Sequence, residues 1–231
     1  MLEAARCAGV RRFVHVGTEA VLVGGGPIRN VDERRPRAAH PIGFYPTTKA
    51  QAEALVVTAN GAGLQTVVCR PRLIWGKGDV AVLPRMLDVM RKRQWAWIGG
   101  GRYLTSTCHV RNVVEGLLLA AERGRPGEIY FLTDGAPVEF RAFISAQARA
   151  HGVEPGGRSV PRGLLYAVAA VSEFAWTTLP LKGAPFITRT AILLAGEEVT
   201  VNDAKARREL GYVGRVTREQ GLAEMAVERG A

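Results

Sequence analysis

The sequence has no run of about eighteen apolar residues, so it predicts no membrane-spanning helix. Its start, MLEAARCAGVRR, lacks the apolar stretch and small-residue site of a secretory leader. Cysteine is scarce: Cys7, Cys69 and Cys108 are odd in number and far apart, which excludes a disulfide framework and a paired metal site. A reducing, cytoplasmic setting is the expectation that follows. Aromatic residues make up only 7% of the chain, while glycine is abundant at 27 residues. That usage fits a helix-and-sheet enzyme better than a β-sandwich.

Lysine and arginine outnumber aspartate and glutamate by 31 to 21, a formal net charge of +10. Such a balance raises nucleic acid as a partner. The arginines are scattered, however, and no recognition motif accompanies them. Arg91-Lys92-Arg93, the densest cluster, closes a predicted helix, where cations complement the dipole. No nucleic-acid partner is therefore expected.

The 231 residues, 47% hydrophobic, suffice for one large domain with a smaller lobe. Leu2–Ala8 reads as a helix ended by Gly9, with no residue before Leu2 suited to cap it. Arg12–Val16 is a short apolar strand, followed by a loop running from Gly24 to Pro41. A helix opens at Tyr45, with Pro46 in its first turn, and ends at Asn60-Gly61. Leu64–Arg70 is a continuous apolar strand closed by Pro71, as in a parallel sheet covered on both faces. Beyond Gly76 the pattern predicts helices at Leu83–Met90, Val113–Ala121, Phe140–Ala150, Leu164–Thr177, Pro185–Ala195, Asp203–Leu210 and Glu219–Glu228. Short strands fall at Trp95–Ile98, Thr107–Val110 and Glu128–Thr133. Thr217 and Gln220 have the spacing of a capping box. Leu164–Val171 is the longest apolar block, and a buried or interfacial helix is expected there rather than a membrane contact.

Tyr45 and Lys49 stand one helical turn apart, so they share a face. A free tyrosine titrates near pH ~10. To exchange a proton with an alcohol or carbonyl near neutrality it must be lowered by ~2–3 units, and an ammonium close by does this by favouring phenolate. Thr18 follows a strand end, where parallel sheets bind ligands. Its hydroxyl is placed to hold a substrate oxygen.

The order of Thr18 after its strand, Tyr45-Pro-Thr-Thr-Lys49, then Cys69-Arg-Pro71-x-x-Ile74-x-Gly76-x-Gly78-Asp79, resembles the extended short-chain dehydrogenase/reductase superfamily, the epimerase/dehydratase family. His109-Val110 with Asn112-Val113, Glu128–Asp134, and Lys205 through Leu210-Gly-Tyr212 fit the same pattern. The similarity is nearest to the 3β-hydroxysteroid or sterol dehydrogenase branch. It implies an α/β fold, a Rossmann-like parallel sheet with a mostly helical substrate lobe. Residues 1–75 and 107–134 would form the Rossmann part, and 76–106 with 135–231 the lobe.

The resemblance further implies NAD or NADP as cofactor and hydride transfer between the nicotinamide and a secondary alcohol or ketone, such as a sterol-like 3β-hydroxyl. Tyr45 would be the acid/base, Lys49 would lower its pKa and bind the nicotinamide ribose, and Thr18 would hold the substrate oxygen. Pro71, Arg72, Leu73 and Ile74 would line the nicotinamide. His109 would hold strand to helix. The expected partner is a small, apolar substrate, with a homodimer compatible. A nucleotide-sugar epimerase or dehydratase is the alternative on the same frame; a non-catalytic binding subunit is another. Two departures stand out. Arg111 replaces a more usual acidic residue, and no Gly-x-x-Gly-x-x-Gly turn receives the pyrophosphate. The expectation from the latter is a C-terminal part of the fold, its N-terminal dinucleotide-binding portion missing.

Overall fold

A computed structural model of the chain describes residues 1–178 and 188–227. The first half contains α1 (Leu2–Cys7), β1 (Arg12–Val16), a 3-10 turn (Glu19–Leu22), β2 (Ile28–Val31), α2 (Phe44–Thr58), β3 (Gln65–Pro71), β4 (Ile74–Trp75), α3 (Leu83–Arg91), β5 (Trp97–Ile98), β6 (Leu104–Thr105), β7 (Cys108–His109) and α4 (Val110–Arg123). Then come β8 (Ile129–Leu132), β9 (Val138–Glu139), α5 (Phe140–Ala150), β10 (Ser159–Val160), α6 (Arg162–Thr178), α7 (Arg189–Ala195), β11 (Val199–Val201), α8 (Ala204–Leu210) and α9 (Arg218–Val227).

The central sheet is parallel, in the order β1-β3-β8, with Val14 beside Val67 and Cys69 beside Tyr130. Alternate side chains of a strand point to opposite faces, and both faces are covered. On one, Val67, Cys69, Tyr130 and Leu132 pack with Val113 and Ala120 of α4 and Ala206 and Leu210 of α8. A Cβ at Gly116 would run into Leu132, so glycine brings α4 close to β8. On the other face lies α2: the Thr66 hydroxyl donates to the Val56 carbonyl at 2.9 Å, and Glu53 reaches Arg70. These contacts fix the direction of α2. Val56, near its C-terminus, lies by Thr66 at the start of β3, and Glu53, about one turn earlier, by Arg70 toward the end of that strand.

The two edges of the sheet differ. Beside β8, the Phe131 N–H donates to Glu33 at 2.8 Å, and Lys205 donates to the Ile129 carbonyl at 2.8 Å. Two side chains thus occupy the backbone groups an extra strand would use. Strand β1 pairs only with β3 among the described residues.

A second sheet, β2-β11-β6-β9, joins segments from across the chain; β2 and β11 pair in parallel although about 170 residues separate them. The segment from Gly24 to Pro41 is therefore not all loop. Strand β2 has only four residues, and its partner lies far along the sequence, so no local alternation marks it. The expected strand at Thr107–Val110 is also shorter: β7 ends at His109, whose side chain accepts from the Arg111 N–H and caps α4 three residues earlier than expected. The expected helix from Pro185 is seen as Arg189–Ala195, and residues 185–187 lie outside the described residues. The capping box forms: Thr217 N–H donates to Gln220 Oε1 at 3.0 Å, and Gln220 N–H to Thr217 Oγ1 at 3.2 Å. Among the described residues no helix is long and apolar enough to cross a membrane.

The apolar block at Leu164 forms the expected helix, but it is not buried. Only Ala169 is fully enclosed, while Leu164, Val168 and Val171 face outward. The helix packs mainly on α7, which leaves its opposite side without a covering element among the described residues.

Candidate active site

The ends of β1 and β3 are stitched together before either carries a functional group. Gly17 N–H donates to the Cys69 carbonyl at 2.8 Å, extending the pairing past the strand end. Thr18 follows in extended conformation and caps the 3-10 turn by accepting the Ala20 N–H at 3.2 Å. Its own proton goes to Glu19, at 2.9 Å. The same Glu19 carboxylate accepts from Arg72 Nη1 at 2.9 Å. Arg72 also donates to Thr105 Oγ1 at 3.2 Å and to the Leu194 carbonyl at 2.7 Å. A buried chain, Thr18–Glu19–Arg72, thus joins the two strand ends to the segment around α7.

The other half of the site comes from α2. Gly43, with φ of 93°, occupies its N-cap, and a Cβ there would run into Thr190 Oγ1. Thr190 itself donates to the Ile42 carbonyl at 2.7 Å. The helical lobe therefore holds the entry to α2. Tyr45 lies in the first turn, 49% exposed, and Lys49 follows half-buried on the same face. Neither the Tyr45 hydroxyl nor the Lys49 ammonium makes a hydrogen bond to another described residue. Lys49 lies close enough to His15 of β1 to act on it: burial chiefly, and then the Lys49 charge, push the His15 imidazole down, with Glu53 opposing.

One turn beyond Lys49, Glu53 is fully buried and grips Arg70 with two bonds, of 2.8 and 2.6 Å, while Arg37 reaches it at 3.2 Å. This bidentate pair locks α2 onto β3 immediately before Pro71. Pro71 is buried, Leu73 half-buried and Ile74 exposed. Leu73 has φ of 41°, a left-handed conformation that costs a non-glycine residue on the order of 1–3 kcal/mol and that clusters at ligand-binding positions.

Farther along, Asp134 gathers four donors: Trp75 Nε1 at 2.7 Å, Thr107 Oγ1 at 2.8 Å, His109 N–H at 2.6 Å and Asn112 Nδ2 at 2.8 Å. It ties β4, β7, α4 and the end of β8 into one block beneath the Leu73 turn. Because His109 Nδ1 accepts from Arg111, its proton belongs on the buried Nε2. Burial holds this imidazole below its usual range. Arg111, where the superfamily pattern more often has an acid, pairs with Glu224 of α9.

Of the residues singled out from the sequence, Thr18 follows the end of β1, Tyr45 and Lys49 lie in the first turns of α2, and Pro71 to Ile74 run from the end of β3 into β4, while His109 stands apart at the junction of β7 and α4. The supports were not singled out: Glu19, Glu53 and Asp134. A signal existed for Glu53, since Arg70 interrupts an apolar strand and a buried guanidinium needs a carboxylate. Which carboxylate it finds is a tertiary matter.

The model of the 3-beta hydroxysteroid dehydrogenase/isomerase family matches residues 1–162. Among curated proteins, the chain is 54% identical over 223 residues to 4-hydroxy-2-methyl-3-oxo-4-farnesyl-3,4-dihydroquinoline-1-oxide ketoreductase of Stigmatella aurantiaca. The match covers 96% of this chain and 66% of that protein, so the chain spans about two thirds of its relative's length. Among solved structures, the crystal structure of gox2253 superposes with a TM-score of 0.74 at 26% identity, covering 99% of this chain and 70% of that one. A double mutant of dTDP-glucose 4,6-dehydratase from Streptomyces venezuelae, solved with NAD bound, gives a TM-score of 0.69 at 21% identity, covering 98% and 62%.

These superpositions correct the expectation of a C-terminal part with its dinucleotide-binding portion missing. The match to Rossmann-like structures runs along 98–99% of the chain and takes in both the parallel sheet and the helical lobe. The expectation read a fold from one glycine motif, whereas the fold is specified by the whole layered arrangement of sheet and helices. The chain belongs to the 3-beta hydroxysteroid dehydrogenase/isomerase family.

Proposed function

We propose that this chain takes part in NAD- or NADP-dependent oxidoreduction of a small organic substrate, interconverting a ketone and a secondary alcohol. The observation that carries this reading is the placing of Tyr45 and Lys49 one turn apart on one face of α2, with polar groups that no described residue engages. The 54% identity to a ketoreductase supports the reaction class. That relative's farnesylated substrate is the reason to favour an apolar substrate over a charged one.

The residues present fit the nicotinamide end of a dinucleotide. Tyr45 and Lys49 offer polar groups that no described residue engages, and Leu73 and Ile74 present backbone and an exposed apolar side chain at the strand end. The nicotinamide, when bound, supplies or accepts the hydride. Tyr45 Oη gives its proton to the substrate oxygen during reduction and takes it back during oxidation. The Lys49 ammonium, one turn on, stabilises the phenolate left behind. Thr18 Oγ1 accepts from Ala20 and donates to Glu19, so it keeps one acceptor position for a substrate hydroxyl. Residues 1–75 with 107–134 form the cofactor side in this reading, and 76–106 with 135–231 the substrate lobe. An epimerase or dehydratase is the second reading, supported by the fold shared with the dTDP-glucose dehydratase.

The test is Tyr45→Phe, which should lower ketone reduction by roughly 10²–10⁴-fold while cofactor binding, followed by nicotinamide fluorescence, stays nearly unchanged. Activity surviving in that variant sinks the assignment. Net consumption of reduced nicotinamide with apolar ketones separates the first reading from the second, in which nucleotide sugars turn over with no net change in cofactor.

A further inference from the structure

We propose that a cleft beside β8, lined by Arg35, Arg37 and Arg70, binds a phosphate group. The inference is independent of the redox reading. In the register of β3 and β8, Val68 stands beside Ile129 and Arg70 beside Phe131. Arg70 and Ile129 therefore share a face of the sheet, the one that α2 covers. The segment between β2 and α2 lies alongside and is pinned twice. Glu33 accepts the Phe131 N–H at 2.8 Å, and the Ala38 N–H donates to the Val21 carbonyl at 2.9 Å. Segment and strands enclose a cleft of about 350 Å³, with Arg35 and Arg37 from the segment and Arg70 and Ile129 from the strands.

Three guanidinium groups around one cleft repel each other unless negative charge stands among them. Glu53 answers part of this charge. It takes Nε and Nη2 of Arg70 and Nη1 of Arg37, yet it does not line the cleft. The cleft therefore meets the Arg70 guanidinium on its other side, that of Nη1. This nitrogen is buried and no described residue accepts from it, in a side chain only 1% exposed. A buried donor left over in this way is costly until an acceptor meets it. Arg35 spends one nitrogen on the Gly25 carbonyl and Arg37 one on Glu53, so each keeps further N–H groups. Against these cations the cleft sets one carboxylate, Glu33, which already accepts from Phe131 and which burial pushes toward its neutral form. Guanidinium groups take phosphate or carboxylate in paired, charge-assisted bonds. Three of them, arriving from two sides, suit tetrahedral oxygens better than one planar carboxylate. The volume lies at the small end of ligand sites, with room for a phosphate carrying a short organic group. Inorganic phosphate and a phosphate monoester share this chemistry.

Calorimetric titration of the purified chain with inorganic phosphate, glycerol phosphate and acetate, at one ionic strength, tests this. At least one phosphate should bind saturably, and acetate much more weakly. Equal affinity for the two phosphates assigns the site to the free ion, and tighter binding of the ester assigns it to a phosphorylated small molecule. Arg37→Gln should weaken phosphate binding by roughly tenfold or more, the worth of one charge-assisted bond. Circular dichroism checks that this variant is folded. Should it not be, because Arg37 also touches Glu53, Arg35→Gln is read in the same way. Arg208→Gln is the control: Arg208 is exposed, pairs with Glu209 and lines a different cleft, so its loss should leave binding unchanged. An equal loss in that variant means general attraction to a chain of net charge +10, and overturns the proposal. No saturable binding of either phosphate, acetate binding as tightly as phosphate, or unchanged affinity in the Arg37 and Arg35 variants overturns it too.

Discussion

Replacing Glu53 by leucine should cost this protein more than any other single change in α2. Glu53 and Arg70 are 0% and 1% exposed, and the carboxylate takes two guanidinium bonds from Arg70 plus one from Arg37. Arg37 is partly exposed and turns to water when its partner goes. Arg70 has no such escape. It lies under α2, with its guanidinium 5.5 Å from the Phe131 ring, and its Nη1 already lacks a partner. An uncompensated buried charge of this kind costs about 3–5 kcal/mol. At ~2–4 °C per kcal/mol for a chain of this size, the melting temperature should fall by roughly 6–20 °C. Restoring balance with Glu53→Leu/Arg70→Met should recover most of it, because a buried ion pair exchanged for apolar side chains is about neutral. Urea unfolding of wild type, both single variants and the double variant gives the cycle. A loss below about 1 kcal/mol in Glu53→Leu, or no recovery in the double variant, refutes the reasoning. The double variant carries a second reading. If the pair also holds α2 in place, it should fold well yet position Tyr45 and Lys49 less tightly, which steady-state kinetics would show as lower kcat.

Gly43→Ala forces a side chain into a left-handed position against Thr190, and should destabilise by about 1–2 kcal/mol and slow turnover; unchanged melting and kinetics would count against the lobe holding α2. Burial pushes the Cys69 thiol up to about 12 and raises that of Cys108 well above its ordinary range, so a thiol reagent at pH 8 should titrate only exposed Cys7 quickly in the native chain, and all three in denaturant. Two fast equivalents in the native state would contradict this. His15 and His109 are both held below 6.5, chiefly by burial, so the unfolded chain binds their protons first as pH falls. Their contribution to stability is thus present above 6.5 and lost as pH drops through that value toward the folded pKa. Denaturant midpoints between pH 8 and 5 should fall accordingly, and His15→Gln should flatten part of the slope.

The local elements were largely legible because their signals are local. The box at Thr217 and Gln220, the stop at Gly9, the helix expected from Tyr45 and found from Phe44, and the apolar strand expected at Leu64–Arg70 and found at Gln65–Pro71 need only neighbouring residues to declare themselves. The second sheet was not legible, since β2, β6, β9 and β11 are two to four residues long and pair across the chain. The apolar run in α6 showed a helix but not which way it faces. The supports of the candidate site were hidden for a related reason. Glu19 neighbours Thr18 in sequence, yet it matters because it meets Arg72.

By itself, then, the sequence determined the parallel α/β frame and the pairing of Tyr45 with Lys49, because a helical repeat puts residues four apart on one face whatever surrounds it. The tertiary structure alone decided that Arg70 and Arg72 are buried and to which carboxylates they bond. It decided that Leu73 is strained and that Asp134 binds four segments together. A buried charge or a strained turn persists only where distant groups compensate it, and the identity of those groups is settled when the chain closes on itself.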